Sequence, residues 1–87
     1  MPLEEEKIRG QQAEALLNNP MLELIFQQLK EFYIKEWSET DYLNVDAREH
    51  AYNMHVALQK IRDEIDTYIS SGKFASQQIN EFVRKKR

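Results

Sequence analysis

The residues best equipped for chemistry fall in one stretch, Ala47–Lys73, which holds both histidines of the chain with Glu49 directly before His50. A zinc hydrolase places two imidazoles four residues apart on a helix, so that both meet one ion and the intervening glutamate acts as base. His50 and His55 are five residues apart, which turns them about 140° from one another at 100° per residue. One helix does not present both rings to one ion at that spacing. Two solvated or hydrogen-bonded histidines are the better reading. Carboxylates are plentiful, but an acid–base pair needs two environments that push its pKa values apart. Glu4, Glu5 and Glu6 lie together in one charged run, and Asp63, Glu64 and Asp66 fall on the polar side of a long helix. Both groups read as solvated faces. Cysteine is absent, which removes thiolate nucleophiles, disulfides and Cys-ligated zinc. There is no glycine-rich phosphate loop and no Ser–His–Asp order. The expectation is a chain without catalytic residues, metal or cofactor.

Two features carry binding chemistry instead. The aromatic residues Phe26, Phe32, Tyr33 and Trp37, with Tyr52 and Tyr68 opposite, form a set large enough to stack on bases. Their helical spacing favours a core or a protein interface over that use. The last four residues, Arg84, Lys85, Lys86 and Arg87, carry four positive charges, while the preceding 83 carry a net charge of −7. Such a tip suits phosphates or an acidic protein surface, although basic residues at a helix end also complement its dipole.

These groups need elements to hold them. With two glycines, two prolines and many Ala, Leu, Glu, Gln, Lys and Arg, the composition favours helix throughout. Pro2 suits a first helical turn, but Leu3 and Ile8 make no clean stripe and Gly10 weakens any continuation. Residues 1–10 are therefore expected as a flexible or conditional helix, with a firmer one over 11–18. The "NNP" at 18–20 ends it, because the residue before proline avoids the helical region. Asn19 then caps a second helix from Pro20 to about Ser38. Its broad apolar face holds Leu22, Ile25, Phe26, Leu29, Phe32, Tyr33 and Trp37; Leu24 and Ile34 fall outside it. A helix apolar on more than one side is central in a bundle or shared with a partner.

Residues 38–46 read as a loop, with Tyr42, Leu43 and Val45 folding back as a plug. Asp46 and Glu49 resemble a capping box, with Asn44 the competing cap. In the following stretch Ala47, Ala51, Met54, Leu58, Ile61, Ile65 and Tyr68 are spaced 4-3-4-3-4-3. That seam packs one helix lengthwise along another. "SSG" closes it at Ser71, with Gly72 placed for a left-handed cap. A shorter helix over 74–83 sets Phe74, Ala75, Ile79, Phe82 and Val83 on one side. The fold expected is all-α: a long antiparallel helical hairpin with short flanking N- and C-terminal helices, one domain over residues 1–87.

A domain of 87 residues buries only about 60–65% of its unfolded surface, so helices of this size often finish their burial against another copy or another protein. No run approaches the ~18 apolar residues of a membrane span. The opening "MPLEEEKIRG" is acidic where a signal peptide is basic and then apolar. A non-membrane, non-exported protein is expected.

Four segments, "QQAEALLNNPMLELIF", "FYIKEWSETD", "AREHAYNMHVALQKIR" and "SGKFASQQI", together resemble a group of small helical proteins encoded by tailed bacteriophages near head and packaging genes. Trp37, Thr40, Arg48, Glu49, Arg62, Gly72 and Lys73 carry the resemblance, which covers about residues 11 to 79. Tyr52 stands where that group often has tryptophan. The resemblance implies a virion or assembly setting, in the host cytoplasm during assembly or in the virion itself, and brings no enzymatic activity.

The expected function is a non-enzymatic viral structural or assembly protein, a coiled-coil-like hairpin docking in several copies on a larger virion assembly. Leu24, Ile34, Trp37 and Phe82 are the expected partner-binding residues. Partners would be other virion or assembly proteins, with a homo-oligomer included. One alternative is a DNA-packaging or nucleic-acid-binding accessory protein using Arg84, Lys85, Lys86 and Arg87. Another is a small regulator that binds and inhibits a host protein.

Overall fold

The computed structural model describes residues 2–85. It contains three helices, α1 (Pro2–Leu17), α2 (Pro20–Glu39) and α3 (Val45–Lys85), and no strand among the described residues. The all-helical class is as the composition demands. The break between α1 and α2 falls at Asn18 and Asn19, whose N–H groups donate to Glu14 O and Leu16 O; Pro20 opens the next helix. The contacts group into two compact units, residues 2–19 with 63–85, and residues 20–62.

In the first unit α1 packs against the second half of α3. Its centre is a crossing of small residues: Gly10, Ala13, Gly72 and Ala75 are all buried. A Cβ added at Gly10 would stand 2.7 Å from Gly72 Cα and 3.0 Å from Tyr68 O. The reciprocal Cβ at Gly72 would stand 2.7 Å from Gly10 Cα. The glycines thus sit where two backbones touch. Both expectations placed on them fail for this reason. Gly10 does not interrupt α1, and Gly72 ends no helix, since no glycine among the described residues has positive φ. The separate helix expected over 74–83 is the continuation of α3.

In the second unit α2 lies beside the first half of α3, with Glu23 against Arg62 at one end and Trp37 against Arg48 at the other. The connection is built from side-chain caps. Thr40 Oγ1 donates to Glu36 O at the end of α2. Asp41 Oδ1 accepts from Leu43 N at 3.0 Å, and Asn44 Oδ1 accepts from Ala47 N at 3.3 Å. Asn44, not Asp46, therefore caps α3, because its side chain reaches the third helical N–H. Tyr42 and Leu43 form no plug; they are 76% and 73% exposed, and Val45 is also exposed. A tight loop of this kind points its side chains away from the helices it joins.

The seam of α3 also differs from the expected row. Ala51, Leu58 and Ile65 are on it, but His55, Arg62 and Ile69 are covered in place of Ile61 and Tyr68, which are 52% and 43% exposed. Ala47 and Met54 sit half-buried at its margin. The spacing 51-55-58-62-65-69-72 is again 4-3-4-3-4-3, displaced by one residue at alternate positions. Apolarity alone misplaced it because Arg62 lays its aliphatic stem and planar head on the seam. Its guanidinium stands 5.9 Å from the Phe26 ring centroid while bonding Glu23.

On α2, Leu22, Phe26 and Tyr33 are half-buried, whereas Ile25, Leu29, Phe32 and Trp37 are exposed. The single broad face expected for this helix is thus two faces. The fully buried apolar residues described are three alanines, Ala13, Ala51 and Ala75.

Candidate functional site

At the loop end of the second unit, Trp37 of α2 and Arg48 of α3 pair face to cation, Arg48 Cζ lying 5.2 Å from the Trp37 ring centroid. The indole is held in place without being covered. One turn away a cavity of about 210 Å³ opens between the helices, lined by Tyr33, Ile34, Trp37, Ala51, Tyr52 and His55. Ala51 forms its floor because its short side chain leaves room there. Tyr33 is fixed from behind by edge contacts with Phe32 at 5.0 Å and with His50 at 6.4 Å. His55 is half-buried, and its Nδ1 is buried without a hydrogen-bond partner. That atom is sealed from solvent at the edge of the recess.

A more polar cavity of about 330 Å³ lies further along the same pair, lined by Glu23, Phe26, Gln27, Lys30, His55, Leu58, Gln59 and Arg62. Its carboxylate and guanidinium are paired at 3.1 Å. His55 borders both recesses, so the two make one groove, apolar toward the loop and charged toward Arg62.

The histidines diverge as their spacing requires: His50 turns to Tyr33 while His55 faces the groove. No group of three or more His, Cys, Asp or Glu side chains suited to a metal ion occurs among the described residues. The hydroxyls near the site bond their own helices, Ser38 Oγ donating to Lys35 O at 3.0 Å and Thr40 Oγ1 to Glu36 O.

Of the residues expected to bind a partner, Ile34 and Trp37 come together in the apolar recess. Leu24 is exposed on the side of α2 turned from α3. Phe82 belongs to the other unit, where it lines a shallow depression with Leu3, Gln78, Ile79, Glu81 and Lys85. Arg84 and Lys85 form the last turn of α3 and are exposed; Lys86 and Arg87 lie outside the described residues. Tyr52 joins Tyr33 and Trp37 there, as members of the aromatic set whose spacing favours a core or interface. The sequence reading missed His55 as a lining residue, although it lies four residues from Ala51 and three from Leu58.

No helix of the described residues is long and apolar enough to cross a membrane. The molecule at this point is defined as a small all-helical protein with a narrow apolar recess between two helices. Comparison with protein-family models, with curated proteins and with solved structures finds no match.

Proposed function

We propose that this chain is a non-enzymatic interaction protein whose α2–α3 hairpin docks on a larger assembly by accepting an apolar side chain into the recess beside Trp37. The observation that carries this reading is the recess itself. Its apolar end holds about 210 Å³ between walls from Tyr33, Ile34, Trp37, Ala51 and Tyr52. It matches one anchoring residue of a partner helix or loop. Aromatic anchors flanked by arginine are also what protein interfaces concentrate, and Trp37 and Arg48 supply that pair.

A virion or head-assembly setting rests on the sequence resemblance to tailed-phage proteins, and the multi-copy form of docking rests on the same ground. Purified particles of the source phage, stripped of loosely bound protein and analysed by mass spectrometry, are expected to contain the chain. Ile34→Glu is expected to remove it from them without reducing its expression. Particles that lack the wild-type chain at every assembly stage would sink the setting. Retention of the Ile34→Glu chain would sink the recess. The nucleic-acid alternative has its own signature: retention on DNA or heparin that disappears when residues 84–87 are deleted. Capture of one host enzyme by the full chain, unaffected by that deletion, would support the regulator reading.

A further inference from the structure

The groove occupies one side of the α2–α3 pair, and the opposite side is more apolar. On α2, Ile25, Leu29 and Phe32 are exposed and recur at 4-3 spacing. They are rotated about 75° from the row Leu22, Phe26 and Tyr33 that meets α3. On α3, Met54, Ala57 and Ile61 are rotated about 95° from Ala51, His55, Leu58 and Arg62, in the same rotational sense. The contacts Glu23–Arg62 and Trp37–Arg48 run in opposite order along the two helices. Equal offsets of the same sense on two antiparallel helices bring both rows to one side of the pair. Ile34, Trp37 and Tyr52 are displaced in the other sense, which places them on the far side. The second unit thus has a two-helix apolar face separate from the docking groove.

We propose that a second copy of this chain covers that face, joining two α2–α3 pairs through a two-fold axis into a four-helix arrangement. Four observations choose this occupant. The pair has no second layer of its own: Ala51 is the buried apolar residue of this unit, at 2% exposure, and two helices alone leave half of each apolar stripe wet. The six face residues include no formal charge, and Glu36, next in the α2 row, stands at its loop end, so the centre of the face holds nothing that would select an acidic or basic partner. Apolar ridges on both helices at matching heights make the surface self-complementary, as an isologous interface requires. The area also fits. Ile25, Leu29, Phe32 and Ile61 alone expose roughly 400 Å² per chain, the size of the largest apolar patch on a monomer, which is often functional. With Met54, Ala57 and the aliphatic stems of the flanking Gln28 and Lys60, the footprint reaches roughly 600 Å² per partner, the lower end of a specific interface.

The inference stands independently of the docking recess, and one set of variants separates the two. Sedimentation equilibrium of the full-length chain, from low micromolar to several hundred micromolar, is expected to give the mass of two chains. Phe32→Glu should weaken association by about 100-fold or more, as loss of a central anchor does. Ile34→Glu, an equal change on the far side, should leave the mass unaltered. Circular dichroism tells whether Phe32→Glu still folds. If it does not, cross-linking decides, because the native chain lacks cysteine. A Leu29→Cys chain should be joined into dimers by a short bismaleimide, and an Ile34→Cys chain should not. A folded single chain across the whole concentration range overturns the proposal and leaves the face to some other partner. A dimer indifferent to Phe32→Glu, or one cross-linked through position 34 and not 29, overturns it as well.

Discussion

His55 brings together, in one side chain, the cost of the site and its use. A buried imidazole nitrogen without a partner loses its hydration with no bond in return, which costs about 1–3 kcal/mol. Leucine has a similar volume and no polar atom to strand. His55→Leu is therefore expected to raise unfolding stability by about 1 kcal/mol, read as a higher urea midpoint at unchanged m-value. The same change should lower the affinity for any partner that packs on the imidazole in the recess. A variant that is stabilised and still docks normally would show that the nitrogen is merely tolerated. Arg62 is a different case. Its pairing with Glu23 at 3.1 Å is about half exposed, so the ion pair is worth at most about 1 kcal/mol. Its stem, lying on the seam beside Phe26, is the larger contribution to packing.

Helix boundaries depend on caps and on close backbone approach, and these differ in how plainly a sequence displays them. Asn44 and Asp46 both have cap-forming side chains; Asn44 Oδ1 is the one that accepts a helical N–H, from Ala47. Asn44→Ala should cost about 1 kcal/mol of stability in urea unfolding, whereas Asp46→Ala should cost only a few tenths. The reverse order would return the cap to Asp46. Gly72 tests the other mechanism. Alanine is better than glycine inside a helix by about 1 kcal/mol, so in an open helix Gly72→Ala would stabilise. Here the new Cβ meets the Gly10 backbone at 2.7 Å, and backbone does not rotate away. A loss of about 2 kcal/mol or more is expected, as for overpacking, again by urea unfolding, and the same for Gly10→Ala. The all-helical class, the break at Asn18–Pro20 and the start of α2 were legible because composition and proline act locally. The continuity of α3 through Gly72 was not, because a glycine that lets two helices touch looks in sequence like a glycine that ends one. The α3 seam was half legible for a related reason: Ala51, Leu58 and Ile65 announce themselves by apolarity, whereas Arg62 and His55 reach the same seam with polar tips. Ile34 and Trp37 could be singled out because they stood at the edge of the main stripe, but the recess between them depends on Ala51 lying opposite.

At the scale of the whole molecule the decisive fact is how little one chain buries. Three alanines form the fully buried apolar set among the described residues, while Ile25, Leu29, Phe32 and Ile61 remain exposed. If folding is completed by a second copy, stability must depend on concentration by mass action. A hundredfold dilution then removes RT ln 100, about 2.7 kcal/mol per dimer. For two chains of this length unfolding together, each kcal/mol moves the thermal midpoint by about 2–4 °C. The midpoint is therefore expected to fall by about 5–10 °C on that dilution. Calorimetry or circular dichroism at two concentrations measures it. Phe32→Glu should abolish the dependence, so that its midpoint is low and the same at both concentrations. Salt separates this contact from any role of the basic helix end. An apolar interface is not screened, so the dependence should persist at molar salt, where phosphate contacts by Arg84 and Lys85 would be lost. A midpoint independent of concentration in the wild-type chain would mean that one copy suffices to fold.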